Sequence, residues 1–163
     1  MMRLVAVILF SCGLRADLAP AQSVDPVPLL PANFRWLSPP GNPALQAAWV
    51  IGSEQKPGPY ILRVKLAAGG RIPPHTHPDE RNSTVLAGTL YVGFGEDFDE
   101  SKTVAIPAGA VYVTPANTPH YVWAKEGDAI YQEAGVGPTG TSFIGRSGDD
   151  IKLQCSRQPL PAA

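Results

Sequence analysis

Large apolar side chains recur at every second position along one stretch in the middle of the chain. The residues from Tyr60 to Leu66 alternate in this way, and two of the residues between the large apolar ones are the cations Arg63 and Lys65. Successive side chains of a strand point to opposite faces, so a period of two is typical of a strand with one buried face. Pro57-Gly58 precedes the stretch and indicates a turn. We therefore predict a half-buried strand that follows this turn.

Further short apolar stretches follow, separated by glycine and proline. Thr84 to Phe94 is rich in β-branched and aromatic residues and is broken by Gly88 and Gly93, which predicts two paired strands. More strand segments follow at 104–113, with a turn at 107–109, at 121–124 and at 130–136. No stretch has a convincing helical period. Many short strands with such turns indicate an all-β sandwich or barrel.

The amino-terminal residues have the composition of a secretory signal peptide. The apolar run Leu4–Phe10 follows Arg3, and Ala19-Pro20-Ala21 is a small-x-small cleavage site, so we predict that residues 1–21 direct export to the periplasm or the medium. The alternative is a lipoprotein anchored through Cys12, because Leu9-Phe10-Ser11-Cys12 resembles a bacterial lipoprotein cleavage box. No stretch is apolar over the length that an integral membrane span needs.

Composition divides the remaining residues into three predicted parts. Residues 22–46 are rich in proline and contain Phe34 and Trp36, so we expect an extended arm that lies on the barrel or on a neighbouring subunit. Residues 47–144 contain the strand segments and form the predicted barrel, and residues 145–163 are polar and predict a flexible tail. Of the two cysteines, only Cys155 follows Ala21, so an internal disulfide is not expected.

The charge of the chain argues against two classes of partner. Its 13 basic and 14 acidic residues give a net charge of −1, and no basic run is present. Nucleic acids and anionic membrane surfaces attract proteins through clustered lysine and arginine. We therefore expect no nucleic-acid partner, and a small molecule instead.

The chain has only three histidines, and their spacing is typical of metal ligands. His75 and His77 are two residues apart, so on an extended strand both imidazoles can point at one ion; the third is His120. Imidazole suits zinc, copper, iron and nickel, and three protein ligands with open positions are typical of a working site. The alternative from spacing alone is a turn with two solvated imidazoles.

Two motifs around these histidines resemble those of the cupin superfamily. In the first, Gly69 precedes His75-Thr76-His77 by five intervening residues and Gly88 follows; in the second, Gly109 precedes Pro115-Ala116-Asn117 and His120. The resemblance covers roughly residues 60–136. It implies an antiparallel jelly-roll β-barrel in a single domain, which binds one divalent transition metal (iron, manganese, zinc, nickel or copper) through His75, His77 and His120. It also implies a homodimer.

Two departures from the cupin pattern matter, and the milder one is Ala124 in place of an asparagine and Asn117 in place of a glycine. The other concerns the ligand set. Arg81 stands where the pattern has a metal-binding glutamate, and Glu80 lies one residue too early. A slip of one residue turns a strand side chain to the opposite face, so Glu80 becomes an alternative ligand only if a bulge re-aims it. If Arg81 points inward, it adds a cation suited to binding a substrate oxyanion and needs a partner such as Asp79 or Glu80. Otherwise Arg81 forms a surface salt bridge.

Two functions agree with the predicted barrel and its three-histidine site. The first is a metal-dependent enzyme, of dioxygenase, lyase or isomerase type, that acts on a small anionic or oxygenated organic molecule; Tyr91, Tyr112 and Tyr121 are candidate acid/base residues. The three-histidine arrangement resembles that of iron-dependent cupin dioxygenases. The alternative is a non-catalytic cupin module that binds a small ligand or a metal, because the fold alone does not distinguish the two.

Overall fold

A computed structural model describes residues 28–145, which form two five-stranded antiparallel sheets. One sheet has the order β1-β2-β9-β4-β7, and the other has the order β10-β3-β8-β5-β6. Short 3-10 turns lie at Pro31–Asn33 and Glu100–Lys102. The predicted all-β jelly-roll fold is therefore confirmed. The strands are β1 Leu45–Ile51, β2 Gly58–Leu66, β3 Arg71–Thr76, β4 Arg81–Ala87, β5 Thr89–Phe94, β6 Val104–Pro107, β7 Val111–Thr114, β8 His120–Trp123, β9 Ala129–Gly137 and β10 Ser142–Phe143.

The strand β2 has the predicted alternation. Tyr60, Leu62, Val64 and Leu66 are buried, and the residues between them are only half-buried. The buried side chains join a core between the two sheets that includes Val85 of β4 and residues of β5, β8 and β9. Burial of such side chains contributes about 1.5 to 3 kcal/mol each, so one face of β2 fixes its position in the sheet.

The prediction that Thr84–Phe94 forms two paired strands is wrong in its pairing. The stretch does form two strands, but β4 pairs with β7 and β9, whereas β5 pairs with β6 and β8 in the other sheet. The stretch 104–113 likewise forms two strands in different sheets: β6 pairs with β5, and β7 pairs with β4. An apolar pattern shows where a strand has a buried face, but a hairpin and a crossing between sheets have the same pattern.

Gly88 makes the crossing from β4 to β5 possible. Its φ of +72° lies in the left-handed region, and a Cβ atom there would collide with the carbonyl oxygen of Asp128. We expect Gly88→Ala to lower the free energy of unfolding by about 2 kcal/mol or more, because strain and overlap add. Urea unfolding measures this change. Gly127→Ala is the matched control, since a Cβ at Gly127 meets nothing within 4 Å; equal effects of the two substitutions would contradict the prediction.

The described part of the predicted arm lies against the outer face of β2. The Arg63 guanidinium lies 4.9 Å from the ring centre of Phe34, and the Lys65 ammonium lies 3.9 Å from that of Trp36. Leu37 also forms an antiparallel bridge with Ala47 of β1. The predicted signal peptide, the alternative lipid site Cys12 and nearly all of the predicted tail lie outside the described residues. Within 28–145, no helix has the length and hydropathy to cross a membrane.

Candidate metal centre

The three histidines come together at one end of the space between the sheets. His75 of β3 lies opposite His120 of β8 in the strand register, and His77 follows the end of β3. The ring centres are 4.2 Å apart for His75 and His120, 4.8 Å for His75 and His77, and 5.1 Å for His77 and His120. One nitrogen of each ring lies within 4.8 Å of the other two, and all three residues are buried. The alternative of two solvated imidazoles is wrong.

Backbone carbonyls fix the orientation of each imidazole. His75 Nδ1 lies 2.8 Å from the carbonyl oxygen of Pro73, and His77 Nδ1 lies 2.7 Å from that of Gly140. His120 Nδ1 lies 3.0 Å from the carbonyl oxygen of Thr118. A carbonyl only accepts hydrogen bonds, so Nδ1 carries the proton in each ring and Nε2 keeps its lone pair. His77 Nε2 is buried without a hydrogen-bond partner, as expected of an atom that binds a metal.

Burial keeps these imidazoles neutral. It is the main cause that lowers the pKa of His75 well below its usual value, with a smaller effect of His120 and His77. Burial, followed by the charge of Arg81, lowers the pKa of His77 to about 2. Burial also lowers the pKa of His120. The group therefore offers three neutral nitrogen donors at neutral pH, which is the protonation state that metal ligation requires.

Arg81 is buried beside the histidines, so the alternative of a surface salt bridge is wrong. Its Nη1 donates to Glu133 Oε2 at 2.5 Å, and its Nη2 donates to Thr139 Oγ1 at 2.9 Å and to the Gly140 carbonyl at 3.3 Å. Asp79 is one of the two partners expected from sequence, and its Oδ1 lies 3.8 Å from Arg81 Nε. The main partner is Glu133. Both outer nitrogens of the guanidinium are thus bound to protein acceptors.

Glu80 does not join the histidines. Its side chain is exposed at the position directly before β4, and it is absent from the group of possible metal ligands. The sequence argument that a slip of one residue turns Glu80 away agrees with this position. The alternative in which Glu80 completes the ligand set finds no support in the geometry.

Sequence reasoning missed Glu133. This carboxylate is 6% exposed and lies on the inner face of β9, paired in register with Leu62 of β2 and Ser83 of β4. One signal was available: in the alternating stretch 130–136, the acidic residue occupies the same face as Tyr131, which is buried. A charge on the apolar face of a strand requires a partner, and that partner is Arg81.

A hydrogen-bonded loop connects Arg81 to His77. Thr139 accepts from Arg81 and donates to Asp79 Oδ1, whose other oxygen accepts from the Tyr60 hydroxyl at 2.5 Å. The next carbonyl in this loop, that of Gly140, is the one that orients His77. The residues Thr139 and Gly140, which follow β9, are therefore part of the frame around the histidines.

Comparison with known proteins agrees with the motifs and the fold. The family described as Cupin domain matches residues 62–131, the part that contains His75, His77 and His120. An RmlC-like cupin from Shewanella frigidimarina NCIMB 400 shares the fold at a TM-score of 0.54 and 13% identity, over 66% of this chain and 86% of that chain. The chain belongs to the cupin superfamily. The cupin is 37% identical to germin-like protein 5-1 of Oryza sativa subsp. japonica over 68 residues, which are 40% of this chain and 30% of that protein. It is 35% identical to germin-like protein 1-1 of the same organism over 97 residues, 54% and 45% of the two chains. It thus spans less than half the length of these relatives.

Solved structures support the same fold. The polyketide cyclase RemF from Streptomyces resistomycificus aligns with the cupin at a TM-score of 0.62 and 16% identity, over 79% of this chain and 91% of that chain. KdgF from Halomonas sp. aligns at a TM-score of 0.54 and 21% identity, over 66% and 92% of the two chains. At these identities the likeness concerns the fold alone.

A cavity of about 280 Å³ adjoins the histidines of the cupin. His75, His77, Arg81 and Glu133 line one part of it, and Glu133 is its only carboxylate within the described residues. Such a volume is at the lower end of small-molecule pockets. The site is therefore sized for a small organic ligand.

The three tyrosines considered from sequence do not line this cavity. Tyr91 donates to Glu126, and Tyr121 donates to the Asp99 carbonyl, both away from the histidines. Tyr112 is not a lining residue either, whereas Tyr131, not considered from sequence, is one. The period of β9 places Tyr131 on the same face as Glu133.

The metal-free cupin should lose stability in mild acid. An unfolded histidine is protonated below a pKa of about 6.5, whereas burial holds the folded pKa lower, for His77 at about 2. Below about pH 6.5 the unfolded state therefore binds more protons than the folded state. The contribution of the neutral histidines to stability is complete above this pH and falls below it, by about 1.4 kcal/mol per pH unit for each such histidine. Urea unfolding at pH 7, 6 and 5 measures this slope. A constant free energy of unfolding over that range would contradict it.

Proposed function

We propose that this cupin binds one divalent transition metal through His75, His77 and His120 and uses it to transform a small anionic or oxygenated organic molecule. The observation that carries the proposal is the buried, unpartnered Nε2 of His77, which lies in a group of three neutral imidazoles. Three nitrogen ligands leave coordination positions for a substrate, as in catalytic rather than structural sites. Iron, manganese, zinc, nickel and copper all accept imidazole.

The charge around the metal favours an anionic ligand. Neutral histidines leave the full +2 charge of the ion, and the charges of Arg81 and Glu133 offset each other at 2.5 Å. A metal with this charge polarises a carbonyl or stabilises an enolate, which suits lyase and isomerase reactions, and a redox-active metal suits a dioxygenase. Arg81 remains a proposed contributor to substrate binding by its position in the cavity lining, because its outer nitrogens are bound to the protein and Glu133 offsets its charge.

Metal content tests the proposal directly. The mature protein, purified without an affinity tag or chelator, is analysed by plasma mass spectrometry before and after incubation with each of the five metals. We expect about one equivalent of one metal per chain. Iron would then lead to oxygen-uptake assays, and zinc to lyase and isomerase assays. Failure to bind any of the metals would overturn the proposal, and a bound metal without turnover would favour a non-catalytic binding module.

We also propose that the cupin acts as a homodimer outside the cytoplasm. The resemblance of its motifs to cupins supports the dimer, and the composition of residues 1–21 supports export. Light scattering of the mature protein tests the dimer, and a monomer at all concentrations would reject it. Fractionation of expressing cells tests export.

A further inference from the structure

The cavity beside the histidines has a polar part and an apolar part, and the strand register separates them. In the first sheet, Glu133 of β9 lies beside Leu62 and Ser83, whereas Tyr131, two residues along, lies beside Val64 and Val85. Val64 in turn lies beside Ala47 of β1. The inner face of this sheet therefore becomes apolar with distance from Glu133.

The second sheet shows the same change in the same cavity. His75 lies beside His120, whereas Ile72, three residues earlier on β3, lies beside Val122. Ile72 lines the cavity and is 7% exposed. Both walls thus have their histidines and carboxylate at one part of the cavity, and Ala47, Val64 and Ile72 lie beyond. Two apolar lining residues, Leu62 beside Glu133 and Phe143 beside His75, belong to the polar part. The exposed cation Arg71 borders the cavity next to Ile72. The apolar lining residues are Pro39, Leu45, Ala47, Leu62, Val64, Ile72, Pro73 and Phe143.

The apolar surface of the cavity is larger than the surface that a small oxyanion would cover. An ion such as acetate would occupy the open positions of the metal and leave the aliphatic side chains in contact with water or with nothing, at a cost of about 25 cal/mol per Å² of apolar surface. A ligand with an apolar chain covers the same surface. Asn42, which donates to the Arg71 carbonyl at 3.0 Å, borders the cavity and keeps the turn at 39–42 beside this wall.

We propose that the ligand of this cupin is amphipathic: an anionic or chelating oxygen group faces His75, His77 and His120, and a short apolar chain lies against Ala47, Val64 and Ile72. The inference rests on the proposed function, since the oxygen group requires the metal. It adds the chemical class of the substrate, a short acyl or alkyl compound with an oxygenated head, as opposed to a fully polar sugar or a small diacid.

A homologous series of hydroxamates tests whether affinity increases with the length of the apolar chain. Acetohydroxamate, butyrohydroxamate, hexanohydroxamate and octanohydroxamate share one chelating head, and each binds to the metal-loaded protein in a calorimetric titration. We expect Kd to fall by about fourfold for each added methylene until the apolar part is filled. A Kd that is constant or rises with the first added methylenes, while acetohydroxamate binds, would overturn the inference and leave the metal site intact.

Two substitutions on the apolar wall sharpen the test. Ala47→Ile fills part of the cavity, so we expect the Kd of hexanohydroxamate to rise at least tenfold and that of acetohydroxamate to stay within twofold. Gln46→Ile adds the same side chain at the adjacent exposed position and serves as the matched control. Val64→Thr keeps the shape and adds a hydroxyl, so it should reduce the gain per methylene. Equal effects on all hydroxamates would overturn the inference.

The outcomes separate the inference from the proposed function. If the protein holds no metal, or holds it but binds no hydroxamate at all, the open metal site is wrong and the inference fails with it. If acetohydroxamate binds and chain length has no effect, only the inference fails. Should the wall variants not fold, the chain-length dependence of the unsubstituted protein decides the question alone.

Discussion

His75→Ala and His120→Ala should each abolish stoichiometric metal binding. Each variant removes one of three nitrogen donors from a group whose members lie within 4.8 Å of one another. Two remaining imidazoles form a far weaker site, so we expect affinity to fall by more than the roughly 10- to 100-fold that removal of an outer partner of a ligand costs. Metal competition with a chromophoric chelator measures this loss.

Thermal unfolding gives a second readout that does not depend on activity. A metal at 1,000 times its Kd stabilises the folded state by about 4 kcal/mol, which corresponds to a rise in Tm of roughly 10 to 15 °C for a domain of this size. The histidine variants should show no such rise. Glu80→Ala is the control, because this exposed carboxylate lies next to the site in sequence but outside the group. An intact metal response in the histidine variants, or its loss in Glu80→Ala, would contradict the assignment.

The histidines could be predicted from sequence because local rules place them. Two residues of separation put His75 and His77 on one side of a strand, and the motif around His120 places the third ring on a neighbouring strand. The same count of residues put Arg81 at the place of the metal-binding glutamate but left open whether it points inward or forms a surface salt bridge, and its burial in the structure decides between the two. Each of these predictions depends on a spacing along the chain, which the sequence records directly.

The partners of these residues could not be predicted in the same way. Glu133 is 52 residues from Arg81, and the Gly140 carbonyl is 63 residues from His77. Which residues meet across β4 and β9 depends on the strand register, and which strands meet depends on where the chain crosses between sheets. A period of two fixes the face of a side chain but leaves its neighbour open. The misassigned pairing of Thr84–Phe94 has the same physical origin.

Arg81→Met should destabilise the folded protein strongly. The substitution leaves the Glu133 carboxylate, 6% exposed, without the cation that donates to it at 2.5 Å. Removal of one partner from a buried pair costs about 3 to 5 kcal/mol, and a loss of this size lowers Tm by roughly 10 to 20 °C. Urea unfolding and calorimetry measure the change. Arg35→Met, at an exposed position of the arm, is the matched control and should have little effect.

The double variant Arg81→Met, Glu133→Leu distinguishes a structural pair from a functional one. Replacement of both charges by apolar groups of similar size is often neutral or stabilising, so the double variant should recover most of the lost stability. Its metal affinity should nevertheless stay roughly 10- to 100-fold lower, because the donors to Thr139 and Gly140 are gone and the carbonyl that orients His77 is no longer held. Recovery of both stability and metal affinity would contradict this role. Recovery of stability alone would show that the buried charges serve the metal centre at the expense of an equally stable apolar core.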